Sequence, residues 1–210
     1  MRSYKTAVVA NWESYLKNLK VNATVARLTE PHMAGGCLLT QDIEWPVDKH
    51  GHPLLHLLTM PAEWVELGAQ GWISLFSPYY REDTFLHWEE LTAERENCSV
   101  VIYHDNDGDE RNEYKEFASS PCKVLIENDI ECDSSNNFSS RVCGVVSWLQ
   151  DEESVAGAEC RIMLNGDDFD IAFPDDVGIF SGGVVYVFLN EGFSEKSRPS
   201  VQGVMTFQFT

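Results

Sequence analysis

Apolar residues recur every three or four positions at Tyr4, Val8, Trp12, Tyr15, Leu16 and Leu19, and Lys5, Lys17 and Lys20 fall off that stripe. This spacing predicts an amphipathic helix over residues 4–20. Beyond it the pattern shortens. Residues 22–28 and 37–40 read as extended, and 54–60 (LLHLLTM) is a nearly continuous apolar run of buried-strand length. Further strands are expected at 72–76, 100–103, 122–126, 158–165 and 184–188, short apolar runs of which the first two are rich in β-branched or aromatic residues. Short helices are expected at 61–67, with proline at the first helical position, and at 84–94, with Phe85, Trp88 and Leu91 on one side. Residues 130–140 are polar and read as a solvent loop. The fold expected is α+β: a single domain over residues 1–210, mostly antiparallel strands, with an N-terminal helix.

The order of features repeats. Gly35-Gly36, Trp45, a strand ending at Thr59 and the glycine-led strand at Gly71-Trp72 are followed by Cys143-Gly144, Trp148, a strand ending at Asn165 and the glycine-led strand at Gly182-Gly183. Such an order argues for an internal duplication, with related halves at about 23–125 and 142–210.

The segments Gly35-Gly36, Trp45-Pro46 and Gly51-His52-Pro53-Leu54 resemble the YwqG-like family of uncharacterised bacterial proteins, over roughly residues 23–209. That family's first proline is replaced near Cys37-Leu38, its strand glutamine falls on Thr59, and an aromatic residue stands where this chain has His56. The resemblance implies a two-half fold and no mechanism.

Charge narrows the partners. The chain carries 15 basic and 34 acidic residues, net −19. Residues 1–35 hold five bases and two acids, which leaves −22 on the remainder. Such a field repels phosphate backbones and anionic lipid surfaces, so nucleic-acid and membrane partners are not expected, whereas a basic protein partner fits. No apolar run approaches 18 residues and the first twenty residues lack the apolar core of a signal peptide, so a cytoplasmic protein is expected.

Motifs for chemistry are scarce. The run from Asp105 to Glu116 places acids as a calcium loop does, but its glycine is misplaced for the sharp turn, so an acidic solvent turn is expected. His50, His52 and His56 flank a turn and an extended run, a geometry that need not converge on a metal; no metal and no cofactor is expected. Nucleophile elbow, phosphate loop, dinucleotide fingerprint and zinc-helix motifs are absent. Two functional classes follow. The first is a non-catalytic interaction protein, immunity-like or regulatory, whose acidic surface at Asp167, Asp168, Asp170, Asp175 and Asp176 covers a basic partner. The second is a small-molecule binding protein or enzyme with a pocket between the halves, lined by Trp45, His56, Trp72, Gln150 and Tyr186.

Cysteines at 37, 98, 122, 132, 143 and 160 form no C-x-x-C pair and mostly sit among apolar neighbours, as small buried hydrophobes do. A thiol titration of protein denatured under non-oxidising conditions is expected to count all six.

Overall fold

The computed structural model describes residues 17–91, 97–116, 119–127, 138–144, 146–176 and 178–210. Its first element corrects the expected N-terminal helix. Residues 17–20 open a strand, β1 (Lys17–Val25), in which Leu19 and Val21 turn inward on a period of two while Lys20 faces solvent. Residues 4–16 of the expected helix lie outside the described residues. The three-residue spacing from Leu16 to Leu19 imitated a helical stripe, and the alternation from Leu19 onward is what the fold uses.

The fold class is corrected with it. The protein is not α+β but a closed barrel of ten strands, every pairing antiparallel. In chain order the described strands are β1, β2 (His32–Met33), β3 (Cys37–Leu39), β4 (Leu55–Pro61), β5 (Trp72–Ser77), β6 (Val100–His104), β7 (Asp109–Arg111), β8 (Cys122–Glu127), β9 (Arg141–Val142), β10 (Ala158–Asn165), β11 (Gly183–Asn190) and β12 (Ser200–Phe209). Around the barrel they run β1-β8-β2-β4-β5-β6-β12-β11-β10-β9, while β3 and β7 form a separate two-stranded sheet. Among the described residues, α-helix is confined to two short elements, α1 (Thr84–Glu89) and α2 (Gly166–Ala172). The helix expected at 61–67 is a single 3₁₀ turn, Ala62–Trp64.

Two meanders, β2-β4-β5-β6 and β9-β10-β11-β12, have the same strand order; they meet where β6 pairs with β12, and β1 with β8 fills the gap on the other side. One apolar cluster draws on all ten barrel strands, including Leu19, Met33, Leu57, Leu75, Val101, Val124, Val142, Leu164, Val187 and Phe207. Only the interior of a closed barrel can be shared in that way. The alternate positions of the same strands face outward and are buried a second time. On the first meander, Phe76 and Ile102 are covered by β3 and the strap after it, with Trp45 set edge-on against Phe76 at 5.0 Å. On the second, Met163, Val184, Tyr186 and Phe188 are covered by residues 146–158, with Trp148 stacked on Tyr186 at 4.6 Å.

This double burial explains why the strands read as continuous apolar runs. Irregular register at Asn22/Val25, His56/Leu58, Cys160/Ile162 and Val201/Gly203 bends four strands enough for closure. Among the described residues, no helix is long and apolar enough to cross a membrane.

Phe180 is fully buried against Phe169, Phe207 and His87, with ring centroids 4.7, 5.1 and 5.7 Å away. Phe180→Ala is expected to lower unfolding free energy by ~3–5 kcal/mol. Leu67→Ala, at an exposed position, is expected to change it by less than about 0.5 kcal/mol. Denaturant titration of both variants checks the difference.

Candidate functional site

Helix α2 is seated by its first residues. The Asn165 side chain accepts the Asp167 N–H at 2.9 Å, and Ser140 Oγ accepts the Asn165 N–H at 2.8 Å while donating to Asp168 Oδ2. Gly166 must be glycine, because a Cβ there would lie 1.8 Å from the Phe180 carbonyl oxygen. At the other end, Asp170 Oδ1 accepts the Gly178 N–H at 2.7 Å and closes the turn that carries Asp175 and Asp176.

That turn forms one wall of a cleft of ≈ 310 Å³. Ala23 and Val25 of β1, with Ser119, Ser120 and Cys122, line the rest of it. Residues between 23 and 122 and residues 171–176 therefore bound it together. Val25 and Ile171 expose apolar side chains. Cys122 is a thiol whose pKa burial pushes up, so it stays protonated and weakly nucleophilic.

Asp176 lines the cleft and is almost completely buried. Its Oδ1 receives Arg81 Nε at 2.9 Å and the Tyr79 hydroxyl at 3.4 Å, whereas its Oδ2 is buried with no hydrogen-bond partner. Burial, reinforced by the Asp176 carboxylate, pushes the Tyr79 phenol up to about 12, so Tyr79 remains a donor. Leaving a carboxylate oxygen unpaired costs on the order of 1–3 kcal/mol. Tyr80, the next residue, points to a second acidic pair: its hydroxyl lies 2.7 Å from Asp48 Oδ2 and 3.0 Å from Glu90 Oε2. Lys49 is ion-paired with Glu90. Burial opposes ionisation of Asp48, but hydrogen bonds from Tyr80 and from the His52 and His50 N–H groups outweigh it and lower its pKa.

A third polar group lies under the strap of the first meander. His56 Nε2, Thr59 Oγ1, Ser74 Oγ and His104 Nε2 form a buried chain with steps of 2.8, 2.6 and 2.8 Å. The Asn106 N–H donates to His104 Nδ1 at 3.0 Å, which fixes the proton on Nε2 and makes His104 the donor to Ser74. Desolvation holds His104 down at about 4, and burial first, then the charge of His32, holds His56 well below its usual range. These side chains are shut off from solvent and serve the packing of the strap.

Trp45 and His56 both contact Phe76, so the first meander's outer layer brings them together. Tyr186 and Gln150 belong to the other side: the Tyr186 hydroxyl donates to the Ser147 carbonyl at 2.9 Å, and Gln150 Nε2 donates to the Phe209 carbonyl at 2.5 Å. Trp72 opens β5, half-buried, paired with Pro61 and His104. The five thus line two outer layers of the barrel. Of the acidic residues, Asp167 and Asp175 are exposed, whereas Asp168, Asp170 and Asp176 are tied to Ser140, Gly178 and Arg81. Desolvation raises the pKa of Asp168.

Sequence reading passed over Tyr79, Tyr80 and Arg81; the signal available was a Tyr-Tyr-Arg run directly after Pro78 ends an apolar strand. The Asp105–Glu116 run contains β7, which pairs with β3, and Asp105 holds Arg198 at 2.7 Å. Among the described residues, no group of three or more His, Cys, Asp or Glu side chains is placed to hold a metal ion, and Cys37, Cys122, Cys143 and Cys160 are free thiols. Cys132 lies outside the described residues.

Fold and cleft define a closed antiparallel barrel carrying an acid-ended surface cleft. No family model matches this chain, and no curated protein matches it.

His87, like His104, is held down at about 4 by burial. Both are neutral when folded and take up a proton when unfolded below about pH 6.5. Stability is therefore complete above about pH 6.5 and falls as pH drops toward 4, by about 3 kcal/mol for each of the two over that window. Denaturant midpoints measured from pH 7 to 4.5 are expected to show this fall, and His104→Gln is expected to remove about one proton from its slope.

Proposed function

We propose that the protein is a non-catalytic interaction protein of the immunity-like or regulatory kind, cytoplasmic, that docks a basic protein partner through its acidic surface. The observation that carries this reading is the net −22 of residues 36–210, in which 162–195 contain seven acids and no base. Asp167, Asp175, Glu191 and Glu195 stand exposed within that segment. Long-range attraction of this kind speeds encounter more than it strengthens the docked state. The resemblance to the YwqG-like family is retained within this proposal as an expectation of kinship and adds no chemistry.

A second reading, binding of a small cationic molecule, is favoured by the cleft, whose ≈ 310 Å³ reaches the lower end of small-ligand sites and which residues between 23 and 122 and residues 171–176 bound together.

Fluorescently labelled octalysine provides the test. Its association rate is expected to fall steeply as ionic strength rises past the point where the Debye length is about 8 Å. Joint reversal, Asp167→Lys with Asp175→Lys, is expected to slow association several-fold more than the same reversal at Asp42 and Glu44 on the strap, which are also exposed. Association that ignores both salt and the Asp167 and Asp175 reversals contradicts the proposal.

A further inference from the structure

We infer that the cleft between β1 and α2 is the socket for one basic side chain, arginine or lysine, presented by a protein partner. The inference rests on the acidic-surface reading above and assigns it a point of contact. Three features of the cleft converge on that occupant.

Its walls suit a methylene stem. Val25 and Ile171 present apolar side chains to solvent, and buried Phe173 and exposed Pro174 complete the apolar lining. Aliphatic stems of arginine and lysine pack on such surfaces while their charged heads seek polar groups.

One end is set for a donor. Asp176 is held by Arg81 Nε and the Tyr79 hydroxyl on Oδ1 alone, and its Oδ2 is buried and without a hydrogen-bond partner. A guanidinium or ammonium N–H meeting that oxygen removes an unpaired buried acceptor, and charged donors make the strongest such bonds. A neutral hydroxyl or amide in the same place forgoes the charge.

The local charge balance is negative after Arg81 is counted. Asp175 and Asp176 line the cleft, and Glu116 reaches the same network through the Tyr114 hydroxyl at 2.8 Å. Three carboxylates against one guanidinium leave room for a second cation. The volume fits a side chain better than a cofactor, since it lies at the bottom of the range for ligand pockets.

The test uses the full chain, methyl-labelled for NMR, with acetyl-Gly-Arg-Gly-amide as probe, its citrulline analogue as the neutral control, and free argininamide. The arginine peptide is expected to shift the Val25 and Ile171 methyl signals, and the citrulline peptide is not. Asp175→Asn, at an exposed position, and Ala23→Phe, which fills the exposed mouth from β1, are each expected to weaken the arginine peptide, the latter about tenfold. Neither change touches the Arg81–Asp176 pair, and an unchanged thermal midpoint confirms folding.

If the citrulline peptide binds equally, or Ala23→Phe leaves affinity unchanged while octalysine still associates in a salt-dependent way, the socket is refuted and the acidic-surface reading stands. If argininamide binds more tightly than the peptide, the occupant is a small cation rather than a partner's side chain, and the inference falls. If neither octalysine nor the arginine peptide binds, both readings fall together.

Discussion

Closure of the barrel through β1 is the constraint from which the rest follows. This strand pairs with β8 on one side and, through Lys17 and Asn18, with β9 on the other. Without it the two meanders, joined only at β6 and β12, would leave two open edges and an interior exposed to water. With it, one apolar cluster spans every barrel strand, and the outer faces of β4-β5 and β10-β11 are left to be covered by straps. Each strap rests a tryptophan on an aromatic residue of the sheet beneath, Trp45 on Phe76 and Trp148 on Tyr186.

The cleft is a by-product of the same closure. After Asn22 the register of β1 shifts, and Ala23 and Val25 stand exposed beside the end of α2. The helix is held in place by the fit of Gly166 against the Phe180 carbonyl and by buried Phe169 and Ala172. Its C-terminal turn, pinned by Asp170, then places Asp175 outward and Asp176 inward against Arg81. Two adjacent aspartates thus acquire different environments, one solvated and one buried, from backbone geometry alone.

Much of the sheet was legible in the chain: β4, β5, β6, β8, β10 and β11 fall within a residue or two of the apolar runs that announce them. β4, β5, β6 and β11 are buried on both faces, so their runs are continuous and stand out. Elements with weaker marking were misread. β1 shares its leucine spacing with a helix, and its pairing partners decide the matter. α2 hides among acids, although Asn165 followed by two aspartates and Phe169 is a capping signature. β7 is a stretch of charged residues made extended only by β3. At the site, the acidity of Asp175 and Asp176 was legible but the difference between them was not, since Tyr79 and Arg81 approach from nearly a hundred residues away. Trp45 and His56 were separated from Gln150 and Tyr186 by the outward phase of strands on two different meanders.

Amide hydrogen exchange along the whole chain, with and without saturating octaarginine, tests most directly that barrel closure and cation capture share one wall. The account predicts added protection at residues 21–25 of β1 and at 171–176, with the β4-β5 and β11-β12 ladders unchanged. Protection that rises evenly over the barrel, or that appears on the straps and spares β1 and the turn after α2, would contradict it.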